Sequence, residues 1–144
     1  MLIQDIYLED WDWVVKVFYA VDTYYVADIL GELECIGCTG LELIKAEEVL
    51  MSGDNVGLTY SNLKGRCSVL VIGLTSSPAE FQNTWDHEKG HLAMHISKEG
   101  NIDVFSEEFE YLTGEIGALM FPVAKNFLCE HCRVKFVKNF QGED

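Results

Sequence analysis

The pattern of hydrophobic and polar positions separates short apolar runs from longer amphipathic stretches. Residues 11–19 are rich in β-branched and aromatic side chains, which predicts a strand. Two further strands are expected at 57–62 and 67–74, joined by the turn residues Asn62, Lys64 and Gly65. The run CSVLVIGL within the third strand is apolar almost throughout, as a buried strand would be.

Helical periodicity and capping residues predict the remaining elements. One helix is expected at 23–33 and a second at 41–51. A third should begin near Pro78, capped by Thr75, Ser76 or Ser77, and end at Gly100 or Asn101. A fourth should begin at Ser106 and be interrupted or ended by Pro122, and a final helix is expected at about 123–137. This order predicts an α+β fold in one domain covering residues 1–144.

Charge narrows the range of partners. The chain has 144 residues and a formal net charge of −14, from 24 acidic and 10 basic residues. Such a charge repels nucleic acid and anionic membrane surfaces, so neither is expected as a partner. The segment Met1–Trp13 does not read as a secretory signal, and no apolar run approaches the roughly 18 residues of a membrane span. These features predict a cytoplasmic protein with reduced or metal-bound cysteines.

The candidate chemistry lies in the third predicted helix. His87, Glu88 and His91 form the pattern H-E-x-x-H, in which two histidines bind zinc and the glutamate activates water. Four-residue spacing offsets the two imidazoles by only about 40°, so both can reach one ion. Gly90, directly before His91, is a small residue and is expected to permit close approach of neighbouring backbone. Lys89 should point about 200° from His87 and be solvated.

The segment HEKGHLAMH followed by EEFEYLTGEIGALMFP resembles zincin-type metallopeptidases. It is similar in particular to ImmA/IrrE-like proteins and to small HExxH proteins of bacterial mobile elements. The resemblance covers mainly residues 58–122. It implies a small zincin-like domain in which a short antiparallel sheet packs on the HExxH helix and on a following helix that carries a glutamate ligand.

A catalytic zinc requires a third protein ligand and an open position. Glu108 is the predicted ligand because it lies about 60° from the centre of the apolar stripe of its helix. Glu115 lies on the same flank and is predicted to support a ligating histidine. His95 is an alternative ligand or a supporting residue, although about 12 Å of helix axis separates it from His87. Glu107 and Glu110 remain further alternatives, and both should point outward.

These residues predict a zinc-dependent hydrolase, specifically a peptidase, with peptide or protein as substrate and Glu88 as general base. An exposed strand such as 67–74 could pair with extended peptide. The alternative is a non-catalytic acidic protein that uses a zincin scaffold for interaction or regulation. Glu88→Gln should distinguish the two, because it should keep the metal and abolish hydrolysis only where hydrolysis exists.

The cysteines form a second candidate site. Cys35 and Cys38 form one C-x-x-C pair, and Cys129 and Cys132 form another. Four thiolates of this kind can hold a structural zinc, but each pair also suits a helix end, where cysteine is a small core residue. A disulfide or redox role is a third interpretation. Cys67 is most simply a core residue of its strand.

Overall fold

The computed structural model describes the backbone of residues 1–140 and the side chains of residues 1–136. Within that range the fold is α+β, with one four-stranded mixed sheet and five α-helices. The strands are β1 (Leu2–Leu8), β2 (Trp13–Val21), β3 (Gly57–Asn62) and β4 (Cys67–Gly73). The helices are α1 (Val26–Cys35), α2 (Gly40–Leu50), α3 (Pro78–Gly100), α4 (Glu107–Ala124) and α5 (Glu130–Phe140).

The sheet has the order β1-β2-β4-β3. β1 pairs with β2 and β3 pairs with β4 in antiparallel fashion, whereas β2 and β4 run parallel. The expectation of a purely antiparallel sheet is therefore wrong. A parallel pair requires a long crossover, and here α1, α2 and β3 all lie between β2 and β4 in the chain. The prediction also missed β1.

Two hydrophobic layers form because β4, and β2 from Val17 to Val21, are buried on both faces. One face of the sheet, including Val15 and Leu70, packs against α3 and α4. The opposite face, including Phe18 and Val71, packs against α1 and α2. β4 is thus internal, and the expectation that residues 67–74 form an exposed strand is wrong. β3 lies at the sheet edge and is half-buried along its whole length.

Local capping sets the ends of the helices that frame the site. The Ser77 hydroxyl accepts the backbone N–H of Glu80 at 3.1 Å, and Asn101 ends α3 in the left-handed region at φ 54°. Ser106 caps α4 by accepting the N–H of Phe109 at 3.3 Å. Pro122 lies inside the last turn of α4. α5 begins later than expected, because a short 3-10 turn at Lys125–Phe127 separates it from α4.

Candidate metal centre

α3 presents a pair of imidazoles to solvent. His87 and His91 are both exposed, their Nε2 atoms lie 3.0 Å apart, and their rings meet edge to face with centroids 4.6 Å apart. Two nitrogen ligands of a tetrahedral zinc lie about 3.3 Å apart, since each Zn–N bond is about 2.0–2.1 Å. The two side chains therefore fit a shared zinc ion after an opening of a few tenths of an ångström.

Glu88 points from the same helix into the edge of the sheet. Its side chain is only 4% exposed, and its Oε1 accepts a hydrogen bond from the Thr59 hydroxyl at 2.8 Å. Gly57 leaves the space for this carboxylate, because a Cβ at Gly57 would lie 2.6 Å from Oε2 of Glu88. The two strand residues thus hold the glutamate in one position.

Burial changes the acidity of this glutamate. Desolvation raises the pKa of Glu88 above its usual 4.5, while the Thr59 hydrogen bond and the nearby charges of His87 and His91 lower it by less. A carboxyl group whose pKa moves towards neutrality is better suited to accept and return a proton near pH 7. The position and acidity of Glu88 therefore fit a general base.

A buried chain of hydrogen bonds fixes His95. The Trp13 indole donates to Ser68 at 2.8 Å, Ser68 and Ser61 share a 2.6 Å bond, and Ser61 bonds Nδ1 of His95 at 2.7 Å. Indole N–H can only donate, so Ser68 accepts from it. All the hydroxyl hydrogens find partners only if Ser68 donates to Ser61 and Ser61 donates to Nδ1. His95 then carries its proton on Nε2.

This arrangement does not support metal binding by His95. Its Nδ1 accepts from Ser61, and its Nε2 is protonated when the chain is satisfied. Desolvation first, and then the charges of His91 and Lys98, lower the pKa of His95 below 6.5. A neutral imidazole with its proton on Nε2 is a hydrogen-bond donor beside the paired histidines, and the supporting role of His95 stays a prediction.

The structure does not bring Glu108 to the two imidazoles. α3 and α4 pack antiparallel, with Trp85 Nε1 3.4 Å from the Met120 sulfur and Gly117 facing the Lys89 side chain. Glu108 is exposed and lies about 13 Å along the axis from the level of Lys89. α4 also covers the face of α3 that carries Lys89, which is turned away from His87. The other acids at the start of α4, Glu107 and Glu110, are exposed there too.

Glu115 also lies apart from the paired histidines. Its half-buried carboxyl has a raised pKa, caused first by desolvation and then by repulsion from Asp10 and Glu9, which follow β1. Those acids belong to the opposite edge of the sheet from β3. The predicted support of a ligating histidine by Glu115 is therefore absent from this arrangement.

Two expectations about the motif are wrong. Lys89 points away from His87 as expected, but its side chain is only 19% exposed because its Nζ lies 3.7 Å above the Trp85 ring and 3.1 Å from Asp86. The α3–α4 contact thus covers a charge that was expected to be solvated. A Cβ at Gly90 would meet nothing within 4 Å, so no close approach of backbone explains this glycine. The glycine that permits close approach is Gly57.

The four cysteines of the C-x-x-C pairs do not converge. Cys38 is buried with the α1–α2 layer, whereas α5 packs through Phe136 against the layer on the other face of the sheet. Among the residues that the structure describes, no group of three or more histidine, cysteine, aspartate or glutamate side chains is close enough to hold a metal ion. The pair His87 and His91 is therefore the nearest approach to a metal centre, and the third-ligand role of Glu108 stays a prediction.

Two clefts straddle the free edge of β3 beside the histidines. The first, of about 250 Å³, is lined by α3 residues, by Gly57 and the two residues before it, and by Val49 of α2. The second, of about 510 Å³, is lined by Ser61, His95 and Lys98 together with Glu42 of α2. Glu88 lines the first and Thr59 lines the second, so their hydrogen bond lies between the two clefts.

Sequence reasoning missed the strand side of the site. Gly57, Thr59 and Ser61 alternate along β3 and all face α3, where they contact Glu88 and His95. The alternation of small residues with Leu58 and Tyr60, which pack on the other layer, is the signal that could have revealed them.

No family model, curated protein or solved structure matches this chain. Within residues 1–140, none of the helices has the length and apolar character needed to cross a bilayer. The arrangement of side chains around α3 and β3 therefore carries the functional argument.

Proposed function

We propose that this protein is a zinc-dependent hydrolase of the zincin type that acts as a peptidase. One observation carries the proposal: Glu88 is buried and anchored by Thr59 while it lines the same cleft as His87, whose Nε2 lies 3.0 Å from that of His91. A surface helix with an accidental HExxH pattern has no reason to bury the glutamate and expose both histidines.

His87 and His91 would hold the zinc through their Nε2 atoms. When bound, zinc would supply Lewis acidity, which lowers the pKa of water to about 7 and polarises a carbonyl group. Glu88 would take the proton of the attacking water on its carboxylate and return it to the leaving amine. Thr59 holds Oε1 of Glu88 at 2.8 Å, so Oε2, which packs beside Gly57 in the lining of the smaller cleft, would carry that transfer.

The position of His95 adds a donor to this site. Its Nε2–H is fixed by the hydrogen bond from Ser61 to Nδ1, and its ring centroid lies 6.3 Å from that of His91. A donor that is already oriented costs no reorganisation when negative charge develops on a substrate oxygen. His95 would therefore bind a carbonyl oxygen of the substrate in the larger cleft.

The edge of β3 supports an extended peptide as substrate. β3 pairs only with β4 among the described strands, so an extended peptide would add as a strand at its outer edge. Both clefts lie along this edge, and side chains of alternate peptide residues could enter them. β3 thus replaces residues 67–74 as the expected peptide-binding strand.

The third ligand is the open part of the proposal. Glu108 could reach the histidines only if α4 moved relative to α3. In the present packing α4 lies on the Lys89 face of α3, and Glu108 is about 13 Å along the helix axis from the level of Lys89. We retain Glu108 as a candidate ligand in such a rearranged state. Loss of zinc affinity in Glu108→Gln would support that state, whereas unchanged affinity would exclude Glu108 as a ligand.

Zinc titration by isothermal calorimetry tests the metal site. The wild-type protein should bind one equivalent, and His87→Ala and His91→Ala should each abolish that binding. His131→Ala is the matched control, because His131 is the fourth histidine, is exposed, and lies on α5. Equal loss in the control, or full binding by both site variants, would refute the metal centre.

Hydrolysis is tested with a library of quenched fluorescent peptides and zinc-loaded protein. Glu88→Gln should bind zinc as the wild type does and should lose at least about 100-fold in rate, the usual contribution of a positioned general base. Equal cleavage by wild type and Glu88→Gln would overturn the role of Glu88.

A second candidate function is a non-catalytic acidic protein for interaction or regulation. The observation that favours it is that, among the described residues, no third histidine, cysteine, aspartate or glutamate side chain joins His87 and His91, whereas a catalytic zinc requires a third protein ligand. In that case wild type and Glu88→Gln would both bind zinc, and neither would cleave any peptide of the library.

A further inference from the structure

The chain contains two C-x-x-C pairs at opposite ends of their helices. Cys129 immediately precedes α5, and its carbonyl accepts the N–H of Arg133 at 2.7 Å, which is the first bond of that helix. Cys35 is instead the last residue of α1. Backbone N–H groups are free at a helix start and carbonyls are free at its end. A thiolate is therefore stabilised at a helix start and destabilised at a helix end.

Cys129 and Cys132 lie one helical turn apart at the start of α5, and both are exposed. Hydrogen bonding from the Cys132 backbone first, and then from the Cys132 thiol and the His131 backbone, lowers the pKa of Cys129, and the interaction with Cys129 raises the pKa of Cys132. Cys129 is thus the thiol that more readily forms the attacking thiolate, and Cys132 is the thiol that stays protonated until the second step.

The turn that carries this pair is fixed to the body of the protein. Arg133 donates to the Thr75 carbonyl at 2.9 Å and pairs with Glu130 at 2.6 Å. Phe136 packs edge to face on Phe127, with ring centroids 5.4 Å apart. Cysteines three positions apart in a helical turn have Cβ atoms about 5–6 Å apart, whereas a disulfide needs about 3.5–4.5 Å. Oxidation therefore requires a small backbone adjustment, which Cys129 can make because it lies outside the helix.

We propose that Cys129 and Cys132 form a redox-active dithiol that exchanges with the disulfide of a small thiol compound. The Cys129 thiolate attacks one sulfur of that disulfide, the S–S bond breaks, and one thiolate leaves and takes up a proton. Cys132 then loses its proton to water and attacks the Cys129 sulfur, which breaks the mixed disulfide and releases the second thiol. The protein dithiol is oxidised by two electrons, and the external disulfide is reduced to two thiols.

The other C-x-x-C pair is an internal control with the same spacing. Gly37 at φ 98° and the bonds from Gly37 to Glu34 and from Cys38 to Leu33 form a Schellman ending of α1. This ending buries Cys38 in the core at 1% exposure, while Cys35 stays exposed. Burial first, and then the charges of Glu42 and Glu34, raise the pKa of Cys38. The pair at α1 should therefore not exchange.

The test uses the full chain in buffers of reduced and oxidised glutathione, with acid quenching, alkylation and peptide mapping by mass spectrometry. The wild type should form an intramolecular Cys129–Cys132 disulfide and none at Cys35–Cys38. Cys132→Ser should stop at one glutathione on Cys129, because the second attack is lost. Cys129→Ser should take up no glutathione at Cys132 on the same timescale. Both cysteines are exposed, so circular dichroism should show each variant folded.

Kinetics on the unaltered protein provide a second readout. Iodoacetamide at pH 7 should alkylate Cys129 at least about fivefold faster than Cys35, since both are exposed and only Cys129 lies at a helix start, where the free backbone N–H groups favour a thiolate. Equal rates at the two sites would overturn the proposal. So would oxidation that favours Cys35–Cys38, or a Cys132→Ser variant that accumulates no mixed disulfide.

Discussion

Gly57 should be intolerant of even one added methyl group, because β3 lies against the site helix there. A Cβ at Gly57 would lie 2.6 Å from Oε2 and 2.8 Å from Cγ of Glu88, and 2.8 Å from Cγ2 of Thr84. Ordinary contact would require these atoms to retreat by about 0.6–0.8 Å. Overpacking of this kind costs about 1–3 kcal/mol, partly offset by the lower chain entropy of alanine. Gly57→Ala should therefore lower the free energy of unfolding by about 1–2 kcal/mol.

Urea unfolding followed by tryptophan fluorescence measures this loss, and a double-mutant cycle assigns its cause. In the background of Glu88→Ala, two of the three close contacts are gone, so Gly57→Ala should cost about 1 kcal/mol less there. Gly114→Ala on α4 is the control, because a Cβ there meets nothing within 4 Å. That variant should gain about 0.5–1 kcal/mol as an ordinary helix glycine. A stabilising Gly57→Ala, or a cycle additive within about 0.3 kcal/mol, would refute the reasoning.

The remaining predictions concern the buried titratable groups. Because burial raises the folded pKa of Glu88, the wild type should lose stability as pH rises from about 4.5 through that raised value, and Glu88→Gln should remove this loss. Urea midpoints should then show Glu88→Gln more stable at pH 7–8 than the wild type, with the difference shrinking towards pH 4; a constant difference would contradict the prediction. For His95 the folded pKa is lowered, so unfolding takes up a proton and stability should fall as pH decreases below about 6.5. Long-range ¹H–¹⁵N spectra should place the His95 proton on Nε2. Ser61→Ala should weaken that preference, because it removes the donor to Nδ1. A proton on Nδ1 in the wild type would exclude the direction assigned to the Ser68–Ser61 bond.

Burial of an acid at this site also links stability to the proposed activity. A carboxylate held out of water destabilises the folded state, and its replacement by a neutral amide relieves that cost. A catalytic group commonly lowers stability in this way, since the fold must position it against its preferred solvation. A gain in stability together with a loss of hydrolysis in Glu88→Gln would thus be the joint signature of a general base.

The sequence by itself determined the elements that depend on neighbouring residues. Strand β3 matches the predicted residues 57–62, because turn residues bound it on both sides. The start of α3 and its paired histidines followed from Ser77, Pro78 and the four-residue spacing, all of which are local features. The placement of two imidazoles on one helix face needed no tertiary information.

Only the tertiary structure decided what each face of α3 meets. Helical spacing gives an angle about the axis of one helix, but it does not say which neighbour packs there. Glu108 was chosen from its angle to the stripe of α4 alone, and the antiparallel packing of α4 on the Lys89 side of α3 placed it away from the histidines. Gly57 and Thr59, distant in sequence from Glu88, come to it because β3 pairs with β4 at the sheet edge. Such contacts depend on strand order and helix packing, which are set by burial over the whole chain and leave no signal in a local pattern.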